Sequence, residues 1–104
     1  GQIYDLDLFA VTKGSPNKEL AMDFIRFSTG TQPLADQASW INYGPVRKSS
    51  IPLIGTFHSD DSIKMIEHMP TTPDAMKNAL QNDFEFWADN QDELNERFNA
   101  WLAG

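Results

Sequence analysis

The amino-acid sequence predicts a mainly helical fold with one or two short strands. Apolar residues recur at intervals of three and four along most of the chain, which is typical of amphipathic helices. Proline follows a capping residue at two expected helix starts, where its missing N–H costs nothing. Only one stretch, near the N-terminus, has the apolar pattern of a strand. The 104 residues are enough for one domain of ordinary size, and the absence of cysteine excludes disulfides and thiolate metal sites.

The charge balance argues against several classes of partner. The chain carries 15 acidic and 8 basic residues, a formal net charge of -7 and a pI near 4.5. A surface of this sign repels phosphate, so we expect neither nucleic acid nor an anionic membrane as a partner. Most of the excess lies after Asn82, where Arg97 is the only basic residue. This cluster favours the solvated face of a helix over a docking surface for a basic partner.

The strand is expected over about residues 6–12, within the apolar run that begins at Ile3 and stops at Lys13-Gly14-Ser15-Pro16. A single strand cannot satisfy its own backbone hydrogen bonds, so it needs a sheet supplied from elsewhere. The chain also begins at Gly1 without a methionine or a signal-peptide pattern. We therefore expect either a piece of a longer protein or pairing between copies.

Two helices are expected next, over about residues 16–29 and 31–42. The first begins at Ser15-Pro16, a capping residue followed by a proline at the first helical position. Gly30 is predicted to stop it in a left-handed conformation. The second ends at Asn42-Tyr43-Gly44-Pro45. Because the link between the two helices is so short, they are expected to pack as neighbours.

Three further helices are expected, over about residues 59–68, 73–81 and 83–103. The middle one has Thr72 as its cap and a proline directly after it. The last is long and amphipathic, and its apolar residues recur at helical intervals: Phe84, Trp87, Leu94, Phe98, Trp101 and Leu102. Phe98 and Trp101, together with Phe24 of the first helix, are expected in the core by their periodicity, since aromatic side chains of this size are usually buried.

The sequence shows no constellation that supports catalysis. One grouping resembles a metal site but lacks the spacing of zinc-binding helices, and is better explained as a solvated loop: His58, Asp60, Asp61 and His68. The glycines are scattered and the serines lack a nucleophile-elbow context. We therefore predict that the protein is not an enzyme and has no cofactor or metal. Tyr43 is a candidate ligand contact because it lies in a loop at a helix end, although a packing role is the alternative.

Six motifs follow one another along the chain: the run from Leu8 to Ala21, Phe24-Ile25-Arg26-Phe27, Tyr43-Gly44-Pro45-Val46, Met69-Pro70-Thr71-Thr72-Pro73, Phe86-Trp87-Ala88-Asp89-Asn90 and Arg97-Phe98-Asn99-Ala100-Trp101-Leu102. In this order they resemble the C-terminal part of bacterial extracellular solute-binding proteins of ABC importers. The branch that they resemble most is the polyamine (spermidine/putrescine) branch. The resemblance spans essentially the whole chain.

The resemblance implies that residues 1–104 are the C-terminal segment of a two-lobed α/β type II periplasmic-binding-protein fold. It implies a periplasmic protein that captures a small, cationic, polyamine-like solute and delivers it to the membrane permease. By motif position it implies ligand contacts from Tyr43 and Trp87, whose ring faces attract an alkylammonium. Arg47 raises the alternative of an anionic group on the solute, unless its guanidinium is simply solvated.

Other functions remain open at this point. The chain is alternatively a free-standing acidic helical module that binds a protein through the 83–104 helix, or part of a binding protein for another solute, such as an amino-acid derivative, a sugar or a metal. We also expect that the segment alone binds polyamine poorly, because half of the cleft is missing. Its lone strand and apolar helix faces are expected to drive self-association.

Overall fold

The computed structural model describes all 104 residues, Gly1–Gly104. About half of the chain is helical, and the strands are short and form two separate two-stranded sheets. The α-helices are α1 (Lys18–Ser28), α2 (Thr31–Ala38), α3 (Pro73–Met76) and α4 (Phe84–Leu102). The strands are β1 (Gln2–Tyr4), β2 (Thr56–Phe57), β3 (Asp60–Lys64) and β4 (Ala79–Gln81). Two 3-10 helices cover Lys48–Leu53 and Met65–His68.

The prediction of a strand over residues 6–12 is wrong. Strand β1 lies earlier and pairs in parallel with β4, with Tyr4 opposite Gln81. A strand extends only as far as its partner supplies hydrogen bonds, and β4 has three residues. Beyond Tyr4 the chain leaves the ladder, and the ring of Phe9 packs edge-on against Phe24 of α1 at 6.1 Å between centroids.

Helices α1 and α2 lie within the predicted ranges, but their ends are built differently. Ser15 does not cap α1: its Oγ accepts a hydrogen bond from the Asn17 N–H at 3.3 Å, ahead of the helix. The left-handed stop predicted at Gly30 is also wrong, because its φ is -68° and it serves as the N-cap of α2. Thr29 ends α1 instead, and its backbone N–H and hydroxyl both donate to the Ile25 carbonyl.

The helix predicted over residues 59–68 is replaced by an antiparallel hairpin of β2 and β3, followed by the second 3-10 helix. The Asp60 carboxylate accepts hydrogen bonds from the Ser62 N–H at 2.9 Å and from the Ser62 hydroxyl at 2.6 Å. Aspartate and serine that bond to nearby backbone in this way compete with helix formation. Strand β2 then supplies the backbone partners, so the segment forms a hairpin.

The helix predicted over residues 73–81 is too long. Helix α3 begins as expected, with the Thr72 hydroxyl accepting from the Ala75 N–H at 3.4 Å, but it has only four residues. Residues from Ala79 onward pair with β1 as strand β4. The same backbone N–H and C=O groups cannot bond within a helix and to a neighbouring strand at once, and here they bond to the distant strand β1.

Helix α4 is a single unbroken helix of 19 residues. Asp83 is its N-cap and accepts from the Phe86 N–H at 3.0 Å. None of its residues is buried, so the prediction that Phe98 and Trp101 lie in the core is wrong; both are exposed and pack on each other. Phe24 of α1, predicted in the core as well, is also exposed. No helix of the structure combines the length and the apolar character that crossing a bilayer demands.

The small core lies where the β2–β3 hairpin and the second 3-10 helix meet α2. Ala38, Met65 and Met69 are buried there, and three partly buried side chains pack against them: Ile54, Phe57 and Ile63. Ser50 is also fully buried, and its hydroxyl donates to the Thr31 carbonyl at 2.7 Å. This bond joins the first 3-10 helix to α2 and positions the loop between them.

Candidate functional site

The segment between α2 and the first 3-10 helix, residues 39–47, presents two large aromatic side chains to solvent. We call it the aromatic loop. Trp40 is 60% exposed and Tyr43 is 55% exposed. Exposed aromatic residues on a loop that a folded scaffold positions are a frequent feature of ligand-binding surfaces. The loop therefore carries the first part of the candidate site.

Two contacts hold the backbone of the aromatic loop in place. Gly44 packs directly on Thr71: a Cβ added at Gly44 would lie 1.9 Å from the Thr71 Oγ1 atom. At the C-terminal end of the loop, Arg47 Nε donates to the Thr29 carbonyl at the end of α1. Tyr43 directly precedes Gly44, so its exposed ring stands on a backbone that is fixed on its C-terminal side.

Arg47 therefore has a role that neither sequence-based alternative predicts. Its Nε donates to the Thr29 carbonyl, one of those that the end of α1 leaves without a partner inside the helix. The helix dipole also favours a cation at this end of α1. The guanidinium is exposed, yet it is tied to the scaffold.

The imidazole of His58 stacks on the indole of Trp40. Their centroids are 3.6 Å apart and the planes meet at 19°. The His58 N–H donates to the Ser39 carbonyl at 2.9 Å, so the hairpin is joined to the aromatic loop at this point. Phe57 meets the imidazole edge-on at 5.0 Å, and the Ser59 hydroxyl lies 2.8 Å from His58 Nε2. Sequence reasoning missed this pair, although Trp40 follows a helix end just as Tyr43 does.

Polar side chains gather where the parallel strands β1 and β4 end. The Asn82 N–H donates to the Tyr4 carbonyl at 2.8 Å, and the Asn82 side-chain amide donates to the Asp5 carboxylate at 2.9 Å. Asp7 follows two residues later. Ligands of α/β proteins are commonly bound at the carboxyl ends of parallel strands. We call this group, with Asp5, Asp7 and Asn82, the carboxyl edge; it was missed because β4 was predicted as helix.

Trp87 lies on α4, five residues after Asn82 of the carboxyl edge. Helix α4 starts two residues after Asn82, and Trp87 begins its second turn. The indole is 42% exposed and packs edge-on against Phe86 at 5.7 Å between centroids. The rings of Tyr43 and Trp87 do not pack against each other, and the two predicted ligand contacts come from separate elements, the aromatic loop and α4.

The segment from Met69 to Thr72 contacts both the aromatic loop and the β1–β4 pair. Gln2 in β1 donates its side-chain amide to the Pro70 carbonyl at 2.7 Å, and the next residue, Thr71, packs against Gly44. The aromatic loop and the β1–β4 pair are therefore fixed to neighbouring residues of one segment.

Several of these groups attract cations, while the exposed guanidinium of Arg47 is the positive charge of the aromatic loop. Open aromatic faces attract alkylammonium ions, and ionised carboxylates attract them over a longer range. Hydrogen bonds from the side chain and then the backbone of Ser62 lower the pKa of the Asp60 carboxyl, two residues beyond the stacked imidazole. No three histidine, aspartate or glutamate side chains come together as a metal site would require.

Comparison with known proteins identifies the family of this chain. The model of the family described as bacterial extracellular solute-binding protein matches residues 1–71. The chain belongs to this family. The match includes the aromatic loop and the stacked histidine, and it confirms the family that the sequence motifs predict.

The chain is also similar to a curated protein of this kind. It is 40% identical over 103 residues to the gamma-aminobutyric acid-binding protein of Pseudomonas aeruginosa. The alignment covers 99% of this chain and 27% of that protein, so the chain spans about a quarter of the length of the relative that it matches. No solved structure matches the chain.

Proposed function

We propose that these residues form part of the solute-binding component of an ABC-type importer. In this role the protein works outside the cytoplasm, as the family description indicates, and passes its solute to the permease subunits without chemical change. The residues then form the C-terminal segment of a two-lobed fold that closes around the solute. The family match and the long alignment with a binding protein support this proposal.

The proposed solute is a small molecule with a primary ammonium group on a short methylene chain. The observation that carries this is the 40% identity, over nearly the whole chain, with a protein named for gamma-aminobutyrate. Gamma-aminobutyrate and the polyamines predicted from the sequence share such an ammonium group. They differ at the other end, where gamma-aminobutyrate has a carboxylate. We therefore propose an ω-amino acid as the solute and keep polyamines as the comparison.

Tyr43 is the residue that we propose as the ammonium contact on the aromatic loop. Its ring is exposed and its backbone is anchored at Gly44, so little conformational freedom is lost when a ligand binds. Trp87 is proposed as a second contact from the side of the carboxyl edge. An aromatic–ammonium contact contributes roughly 0.5–2 kcal/mol, depending on how far it is desolvated.

Calorimetry on the protein expressed from its complete reading frame tests the proposal. We expect saturable binding of gamma-aminobutyrate and weaker binding of putrescine and spermidine. Butyrate, which lacks the ammonium group, is expected not to bind. If none of the ammonium solutes binds, the proposed solute class is wrong; if a polyamine binds more tightly than gamma-aminobutyrate, the polyamine branch is correct instead.

The Tyr43→Ala variant tests the site within the same experiment. Loss of the ring is expected to weaken gamma-aminobutyrate binding by about 2- to 30-fold, whereas Tyr43→Phe keeps the ring and most of the affinity. Trp101→Ala removes an exposed aromatic side chain near the end of α4 and serves as the control. Equal affinities of the alanine variant and the wild type would remove Tyr43 from the site.

A further inference from the structure

We infer, on the basis of the proposed function, that Trp40 is a second binding platform for the ammonium end of the solute, held in position by His58. Neither residue was expected at a ligand site from the sequence. The inference depends on the geometry of the stacked pair, on the way that the pair is anchored, and on the charges of the neighbouring hairpin.

The geometry leaves one face of the indole open. His58 covers the opposite face at 3.6 Å between centroids, and the planes are nearly parallel. Even so, Trp40 remains 60% exposed. Tryptophan has the most favourable aromatic face for a cation, and a ring supported from behind loses little freedom when its front face is occupied.

The anchoring makes the stack part of the scaffold. The backbone of His58 is bonded to the Ser39 carbonyl, and Phe57 supports the edge of the imidazole from the partly buried side of the hairpin. Phe57 also packs against the core formed by Ala38, Met65 and Met69. The platform is thus connected to the best-packed part of the molecule, as a recognition surface requires.

The neighbouring charges favour a cationic ligand. Asp60 and Asp61 follow His58 in the hairpin, and the Thr56 hydroxyl donates to the Asp61 carboxylate at 3.2 Å. Lys64 is the only basic residue of β3 and lies opposite Thr56, at the other end of the hairpin from His58. Residues 58–63 therefore carry two carboxylates and no lysine or arginine, which matches an alkylammonium and opposes a simple carboxylate.

Affinity measurements on Trp40 variants of the protein from its complete reading frame test the inference. Trp40→Ala is expected to weaken gamma-aminobutyrate binding by about 3- to 30-fold, and Trp40→Phe by no more than about threefold. Trp101→Ala is again the control for an exposed tryptophan. In the wild type, the indole N–H resonance of Trp40, assigned from its absence in Trp40→Phe, should shift with gamma-aminobutyrate and not with butyrate.

The role of His58 has a separate pair of variants. His58→Phe keeps a flat ring behind the indole and should keep the affinity, whereas His58→Ala should weaken binding about two- to fivefold. The inference would be overturned, with the proposed function intact, if the wild type binds gamma-aminobutyrate, Trp40→Ala binds it equally well and the indole resonance of the wild type does not shift. A wild type that binds no ammonium solute would overturn both. If Trp40→Ala does not fold, the indole resonance of the wild type decides alone.

Discussion

At the scale of single residues, short-range hydrogen bonds decide the local structure more than apolar periodicity does. The Thr72 hydroxyl starts α3, and Asp83 starts α4. Asp60 opposes helix formation: its carboxylate accepts two hydrogen bonds from Ser62, and the chain forms the hairpin that carries His58. A polar side chain two residues from its partner can thus set both the secondary structure and the position of a candidate binding residue.

The Asp60 carboxyl gives a pH-dependent prediction. The hydroxyl and the backbone N–H of Ser62 favour its ionised form and lower its pKa from the ordinary value of 3.8. A pKa that is lower in the folded than in the unfolded state stabilises the fold above the unfolded value. That stabilisation is lost as the pH falls below 3.8 and through the folded pKa. Ser62→Ala should raise the pKa of Asp60 and reduce this loss.

Carbon-detected NMR titration of the Asp60 carboxyl measures the effect directly. Ser59→Ala is the matched control, because the Ser59 hydroxyl contacts His58 and not Asp60. An Asp60 pKa that is the same in Ser62→Ala as in the wild type would show that the Ser62 hydroxyl does not hold the carboxylate.

At the scale of elements, the sequence predicts α1, α2 and α4, but it misplaces the first strand and predicts helix where β3 and β4 form. The spacing around Leu34, the cap at Thr72 and the apolar spacing over residues 83–103 are local signals, and helices are present at all three places. Strand β1 needs a partner more than 70 residues away, with Tyr4 opposite Gln81, and no local pattern reveals that pairing. The carboxyl edge was missed for the same reason.

The candidate site divides in the same way. Tyr43 could be named as a candidate from the sequence because it sits in a local motif before Gly44, and its ligand contact stays a prediction. The stack of Trp40 on His58 could not, because it depends on a hairpin that the chain forms in place of a predicted helix. Residues that are close in space and distant in sequence become visible only once the hairpin is placed against the aromatic loop.

The anchoring of the aromatic loop at Gly44 predicts the effect of a single methyl group. In Gly44→Ala the new Cβ would overlap the Thr71 side chain, with contacts of 1.9 Å to Oγ1 and 2.6 Å to Cβ. Thr71 is β-branched and cannot simply rotate away, so the loop must move. We expect the melting temperature to fall and the affinity for gamma-aminobutyrate to drop several-fold, because Trp40 and Tyr43 move with the loop.

Two variants separate this mechanism from a general effect of alanine. Gly55→Ala adds a Cβ that meets only Ser39 Oγ at 3.5 Å, an ordinary contact, and should be tolerated. Gly44→Ala combined with Thr71→Gly removes the overlapping atoms and should recover part of both properties. If the double variant is no better than the single one, the contact with Thr71 is not what fixes the loop.

At the scale of the whole molecule, the chain folds without enclosing a core of ordinary size. Its radius of gyration is 18.0 Å, against about 13 Å for a compact domain of this length. Its accessible surface is 8719 Å², against about 5,900 Å² for a compact protein of this mass. Only six of the 104 residues are buried. Large apolar side chains on α1 and α4 lie exposed, including Leu20, Phe24, Phe27, Trp101 and Leu102.

This exposed apolar surface predicts that the 104-residue polypeptide, produced by itself, self-associates. Exposed apolar area of this extent is unfavourable in water, and contact between copies removes it. The open edges of the β1–β4 pair offer a further route, through strand pairing between copies. Sedimentation velocity over a range of concentrations should show the monomer fraction falling as concentration rises, and a monomer at the highest concentration would contradict the prediction.

A charged variant of α1 tests whether this face drives the association. Leu20 and Phe27 are each 71% exposed on α1 and contribute to no buried core. Changing both to glutamate should therefore shift the polypeptide toward monomer with little loss of helix by circular dichroism. The matched control changes the exposed polar residues Lys18 and Asp23 to glutamine and asparagine, which leaves the apolar face intact. If both variants associate like the wild type, the contact lies elsewhere, and the strand edges become the surface to block next.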